Sequence, residues 1–480
     1  AQSFFYVDSV TVDYRRLHRA HDGRLSGVLG AGVVSVTGFD TADLAGFDLT
    51  DPDRPSRWAD ATIDSGADGF RYTTTGGSAV AAALVQDLGT AATPRVEPDV
   101  ASSLRDTANA AAYIVVTPDA LVDAARRLAD RRGADFGSSL VVRLQDVMDE
   151  FADGRYHPPA IRDFLTYATS RWATPPTHVA LLGDGSFDYQ DRGGLGGNLL
   201  PPTLTGTPFG LYSSDLGYGD LDGDLRFDLA LGRIPAATLA EAHAYVDKVE
   251  AYEAANGAWR QNVLLLADND DKGGPFSAEI AEVASLLPPA LNVEVGYLGV
   301  DGTSALRQRL FDAAARGVGW VDWMGHGGVD RLADEGVLTN ADVPALDTEG
   351  RWPIFALLSC NVARHELPGF VSLAEDLVLA DGGAIAVLAP SGLALDIDSF
   401  DANRLLVDEA WSGEHETLGQ VFQAMMRRYA DLARLDSDVA VYQLMGDPGL
   451  LLDVPDLAAV TIFANGFEEG DLNAWDGARP

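Results

Sequence analysis

Two apolar runs in this chain end at tips that carry chemistry. Val318-Gly-Trp-Val-Asp-Trp-Met324 leads into Gly325-His326-Gly327-Gly328, and Pro353-Ile-Phe-Ala-Leu-Leu-Ser359 leads into Cys360, the single cysteine. Each run is short, nearly continuous and bounded by glycine, proline or polar residues, the pattern of a buried strand. The separation of 34 residues from His326 to Cys360 holds about one strand–crossover–strand unit. If the two strands are parallel and adjacent, imidazole and thiol emerge at one sheet edge, where open α/β sheets place their sites. Taken alone, a cysteine after an apolar run is more often inert core, and a histidine between glycines more often only occupies a turn. Presented together at neighbouring strand tips, they are the working parts of thiol-based acyl transfer.

The rest of the chain supports such a sheet. Buried-strand runs at Ala112–Thr117, Ser139–Leu144 and Val179–Gly183 alternate with amphipathic helices over 119–132 and 159–172. A Gly- and Asp-rich loop follows, then the Phe227–Ile234 run and a helix over 238–252. The rhythm restarts at Asn262–Asp268 with a helix over 278–287, a strand at Asn292–Tyr297 and a helix over 304–316. The two tip-bearing runs come next, then a strand at Gly383–Leu388 and helices over 402–409 and 417–432. Strand–helix alternation of this kind predicts parallel sheets flanked by helices, here as two tandem α/β subdomains over 109–255 and 256–455. Residues 1–108 carry strand patterns such as Phe4–Val12 and Gly27–Thr37 between Gly, Asp and Pro turns, which predicts a β-rich, sandwich-like N-terminal domain. Residues 456–480 read as an acidic, aromatic C-terminal tail.

Charge narrows the partners. Seventy-two acidic against 34 basic residues give a net charge of −38. Such a surface repels phosphate backbones and anionic membranes, so neither nucleic acid nor a bilayer is expected as a partner. No run is long and apolar enough to span a membrane. A hydrophobic fraction of 47% predicts a folded chain. The strong acidity suits a secreted or cell-surface protein. The residues do not fix an oligomeric state, and nothing calls for an organic cofactor.

At this point the motifs resemble a known family. Gly325-His326-Gly327-Gly328 and Leu357-Leu-Ser-Cys360-Asn361 resemble the His-Gly and Ala/Ser-Cys blocks of the gingipain peptidases, caspase-like cysteine proteases. Leu182–Tyr189, Asp215–Asp224 and Leu231–Pro235 resemble the stretch before them. Ala374–Leu377, Gly382–Leu388 and Gln443–Leu452 resemble the end of the family's catalytic domain. The resemblance spans roughly 110–453, in order. It implies that both α/β subdomains are caspase-like and that the chain is an endopeptidase acting on proteins or peptides. Cys360 would attack the scissile carbonyl to form a thioester, and His326 would protonate the leaving amine and later activate water. The amides of Gly327 and Cys360 would form the oxyanion hole. The family's acid that orients the imidazole falls opposite Lys272, a departure that leaves the neighbouring Asp270 or Asp271 to substitute, or a dyad without one.

The loop Ala389–Asp396, with Pro390, Ser391, Gly392 and Asp396, is expected to wall the pocket for the residue before the cut. Asp396 or Asp398 would favour a basic side chain there, while the pocket acid of Arg-specific members is replaced by Phe276. Asp220, Asp222, Asp224 and Asp228 alternate in one acidic turn and are candidate ligands for a structural calcium ion, which needs six to eight oxygens. Asp184 and Asp188 are candidates for the same site. His365 is read as a loop residue and not as the catalytic base. Two other functions remain open: a sortase-like transpeptidase of type IX secretion using the same dyad, and a non-enzymatic, calcium-stabilised adhesion protein on a decayed protease scaffold.

Overall fold

The structure, a computed structural model, describes residues 12, 14, 16–52, 54–76, 80–93 and 101–452. Apart from Val12, the expected 4–12 strand lies outside them, as does the C-terminal tail. The chain divides into two compact units, one within 6–100 and one from 101 onward.

The first unit is β-rich, as its turn-punctuated sequence predicts. One antiparallel sheet orders Arg24–Leu29, Val80–Asp87, Leu44–Asp48 and Ser56–Arg57; the other orders Gly32–Phe39, Gly69–Gly76 and Ala61–Gly66. Leu25, Val36, Phe39, Tyr72 and Val85 from both sheets form its small core. Alternation of buried and exposed positions, as in Gly32–Phe39, is what gives each sheet one apolar face.

The second unit contains ten strands in one sheet. In chain order they are β1 (Tyr113–Thr117), β2 (Ser139–Arg143), β3 (His178–Leu182), β4 (Ala230–Ile234), β5 (Asn262–Ala267), β6 (Asn292–Tyr297), β7 (Trp320–Met324), β8 (Ile354–Leu358), β9 (Ala386–Pro390) and β10 (Tyr442–Met445). Their spatial order is β6-β5-β7-β8-β9-β10-β4-β3-β1-β2. Strands β6 through β9 run parallel, and so do β10 through β2. The seam is antiparallel, with Val387 opposite Met445 and Pro390 opposite Tyr442. The two α/β halves therefore share one continuous sheet, and β10, from the end of the chain, joins them. Every residue of β1, β3, β4, β7, β8, β9 and β10 is buried, as strands covered by helices on both faces require.

Helices enclose the sheet, and three of them start with a reciprocal capping box: Thr238 with Glu241, Ser372 with Glu375, and Thr417 with Gln420. Several boundaries differ from the sequence reading, two of them with a clear physical cause. The Ser139 strand ends at Arg143 because Leu144 opens a helix, Leu144–Ala152, whose buried Leu144, Val147 and Met148 pack on the core. The strand read as Gly383–Leu388 is displaced to Ala386–Pro390. Gly383 and Ala384 instead close the helix Leu373–Leu379: the Ala384 amide donates to the Leu377 carbonyl, and a Cβ on Gly383 would lie 2.1 Å from that oxygen. The buried Lys248 ammonium fixes this end by donating to the carbonyls of Val378, Ala380 and Ala384.

Candidate active site

The site is built at the carboxyl ends of β5, β7, β8 and β9. Strands β7 and β8 pair in parallel with Met324 opposite Leu358. His326 and Cys360 each lie two residues beyond those partners, so the register brings both to one edge. The approach is close: a Cβ on Gly327 would lie 2.1 Å from Ser359 Oγ and 3.1 Å from the Cys360 carbonyl. Only glycine allows the two tips to meet this way.

Cys360 occupies a tight turn. Asn361, the next residue, has φ +63°, a left-handed conformation that asparagine tolerates better than most residues. Its amide donates to the Gly392 carbonyl at 2.9 Å, tying the turn to the loop after β9. The thiol is half-buried and donates to the Ala394 carbonyl at 3.3 Å. Burial pushes its pKa up, since a low-dielectric site disfavours the thiolate.

His326 is held at backbone and ring. Its amide donates to Asp268 Oδ2 at 2.9 Å, and its carbonyl accepts from the Ala333 amide and from Trp323 Nε1. Nε2 lies 3.2 and 3.3 Å from the two oxygens of Asp271. The ring stands edge-on to Phe276 at 5.3 Å between centroids. The Gly273 amide, and then His326, lower the Asp271 carboxyl below its ordinary value. Of the two acids read as candidates to orient the imidazole, only Asp271 faces it. Asp270 turns the other way and accepts from the amide and hydroxyl of Ser277, at the start of the helix Phe276–Leu286. Lys272 is exposed in the same loop.

The sequence reading missed Asp268, which is 1% exposed at the tip of β5. Burial pushes its carboxyl up, against the two amides it accepts. In the sequence it looks like the polar end of an apolar run. Its only outward signal is that Gly325 stands before the histidine, where a Cβ would collide with Asp268 Cβ at 2.3 Å.

In the loop after β9, Pro390 is still within the strand, and Ser391 is buried with its hydroxyl donating to the Ser213 carbonyl. Gly392 packs against the Tyr212 ring, where a Cβ would sit 3.0 Å from Cδ2. Asp396 opens the helix Asp396–Ala410 and lies against Gly274, beside the Asp271 loop. Glu279 and Asp396 meet there: burial first, and then the Asp396 carboxylate, push Glu279 up. Asp398 has a different partner, since it is buried and paired with Arg434. His365 is buried against Ser213 and the Ala363 carbonyl, and burial pushes its pKa down to about 4.

Asp220, Asp222 and Asp224 bring carboxylate oxygens within 4.8 Å of one another. Their hard oxygen donors suit calcium, although Asp220 already accepts from the amides of Gly223, Asp224 and Leu225. Asp228 lies outside the cluster and accepts from the Leu221 amide. Asp188 accepts from the amides of Arg192 and Gly193, and Asp184 faces Glu375, so neither joins the turn. Among the described residues, no helix is long and apolar enough to cross a membrane.

A sheet of this order, with a cysteine and a histidine at adjacent strand tips, defines a caspase-like cysteine peptidase fold. The family model for peptidase family C25 matches residues 106–453, and the chain belongs to that family. Solved structures agree with the fold. The Arg-specific cysteine proteinase gingipain R is 18% identical over 74% of this chain and 81% of its own, with a TM-score of 0.59. The complex of Porphyromonas gingivalis RgpB pro- and mature domains is 19% identical over 71% and 80%, also at 0.59. A third, described as a protease, is 15% identical over 71% and 78%, with the same score. No curated protein matches the chain. Membership of this family makes the protein a cysteine peptidase, and so a protein or peptide its substrate.

Proposed function

We propose that the protein is a secreted or surface cysteine endopeptidase working through Cys360 and His326. The observation that carries this reading is the register of β7 and β8, which seats Gly327 against Ser359 and Cys360. In the first half-reaction the Cys360 thiol gives its proton to His326 as the sulfur bonds to the scissile carbonyl carbon. The oxygen takes up negative charge facing the amides of Gly327 and Cys360. As the C–N bond breaks, imidazolium His326 gives its proton to the leaving amine. Water then attacks the thioester while His326 accepts its proton; the C–S bond breaks to release the acid, and His326 returns the proton to the sulfur, which restores the thiol. Asp271 orients the imidazole from Nε2, so the function is that of a triad acid supplied from a shifted position. Pro390, Ser391 and Gly392 wall the pocket for the residue before the cut, and Asp396 favours a basic side chain in it.

Calcium, held by Asp220, Asp222 and Asp224, would rigidify the loop that follows β3. The test is incubation of wild type and Cys360→Ala with a diverse peptide library, reductant and calcium, read by mass spectrometry. Cleavage by wild type alone supports the reading, and the residues before the cuts define the pocket. Joined peptides in place of cut ones would mean that an amine and not water takes the acyl group. Silence from both variants, with Cys360 inert to alkylation, would sink the reading in favour of a non-catalytic scaffold.

A further inference from the structure

Three hydrogen bonds hold the His326 backbone, and they are not equivalent. The Ala333 amide and Trp323 Nε1 both reach the His326 carbonyl, and both belong to the strand and ribbon that carry His326 itself. They fold the tip on itself. The third contact comes from a different strand: Asp268, at the end of β5, receives the His326 amide at 2.9 Å through Oδ2. Its other oxygen receives the Asn269 amide at 2.8 Å, which fixes the plane of the carboxylate. Asp268 is almost wholly buried, and no solvent competes for these bonds.

Asp268 stands three residues before Asp271, so a single segment holds the histidine twice, by backbone at one end and by ring at the other. Gly325 makes this possible, because a Cβ there would lie 2.3 Å from Asp268 Cβ and 2.9 Å from Oδ2. A backbone amide fixed to β5 sets where the His326 Cα–Cβ bond points. That direction decides whether the imidazole reaches both Asp271 and a substrate held at Cys360.

We propose that Asp268 is a positioning residue for the reaction, locking the His326 backbone so that its imidazole is aimed for proton transfer. This rests on the reading of Cys360 and His326 as the catalytic pair. Asp268 touches neither substrate nor reacting atoms and acts only through His326.

The test compares wild type, Asp268→Ala and Asp268→Asn by two readouts. The first is the imidazole ¹⁵N–¹H spectrum, with the His326 signal assigned by its loss in His326→Ala. The second is kcat and KM on a peptide that the wild type cleaves. In Asp268→Ala the His326 ring signals should shift and broaden. In the same variant kcat should fall about 10²-fold with KM within about twofold, the loss that a misplacement of roughly 1 Å produces. Asp268→Asn keeps one acceptor oxygen and should fall between. If Asp268→Ala does not fold, Asp268→Asn carries the test. Ring signals and kcat that match wild type in a folded variant would overturn the proposal. A wild type that cleaves nothing would overturn the catalytic reading instead, and the ring signals would still decide whether Asp268 positions His326.

Discussion

Asp270 and Asp271 are adjacent, chemically identical and both exposed, yet they do different work. Asp271 meets the imidazole, and Asp270 caps the helix that follows. Asp271→Ala should lower kcat with KM nearly unchanged and with little change in thermal stability. Asp270→Ala should do the reverse, leaving kcat intact while costing about 1 kcal/mol of stability, the usual value of a lost N-terminal cap. Steady-state kinetics and denaturant melts of the two variants check both outcomes, and the opposite pattern would exchange their roles. Which of the pair faces His326 was not legible in Ala267-Asp-Asn-Asp-Asp-Lys-Gly-Gly274, because a turn rather than a periodicity decides it. Asp271 accepts the Gly273 amide, and Gly273 lies against the imidazole, where a Cβ would be 2.6 Å from Cε1.

At the scale of the element, β7 carries an unusual burden. Asp322 is wholly buried within it, accepting from Asn403 Nδ2 at 2.8 Å, while Asn403 Oδ1 has no donor. Burial raises its pKa to about 7. A carboxyl whose folded pKa stands above its unfolded value binds protons more tightly in the native state. Its contribution is therefore fully present below the unfolded carboxylate range and is lost as pH rises toward about 7. Asp322→Asn keeps the acceptor for Asn403 and carries no charge. It should be more stable than wild type at pH 8 by about 1–3 kcal/mol, with the gap closing toward pH 5. Urea melts at the two pH values measure this, and a gap that does not depend on pH would refute it. The strand itself was legible as an apolar run, and so were β1, β3, β5, β6 and β8. The helix Leu144–Ala152 was not, because it follows the β2 run with no intervening turn signal.

Across the whole molecule, β10 determines how the two α/β halves combine. It pairs antiparallel with β9 and parallel with β4. Just beyond it, Asp447 accepts from buried Arg132 and from the Tyr113 hydroxyl, both in the first half. Asp447→Ala removes the two bonds from Arg132 Nε and Nη2 and leaves the buried Tyr113 hydroxyl without its acceptor, while Arg132 keeps Glu253 and Asp135, so the variant should cost about 3 kcal/mol. Because one sheet runs through both halves, residues 101–452 should unfold in a single transition that shifts as a whole in this variant. Hydrogen exchange of the amides of β1–β4 and of β5–β9 should report one common transition, and separate transitions for the two sets would show that the halves are independent. The sequence by itself determined the strand–helix rhythm, the burial of the strands, and the placing of Cys360 and His326 at strand ends. These follow from local periodicity and from which side chains water rejects. Only the tertiary structure decided that two halves form one sheet, that the four-residue strand β10 closes it, and that Asp268 and Asp271 converge on His326. Those pairings join residues far apart in the chain or turn on single backbone angles, and neither leaves a periodic trace in the sequence.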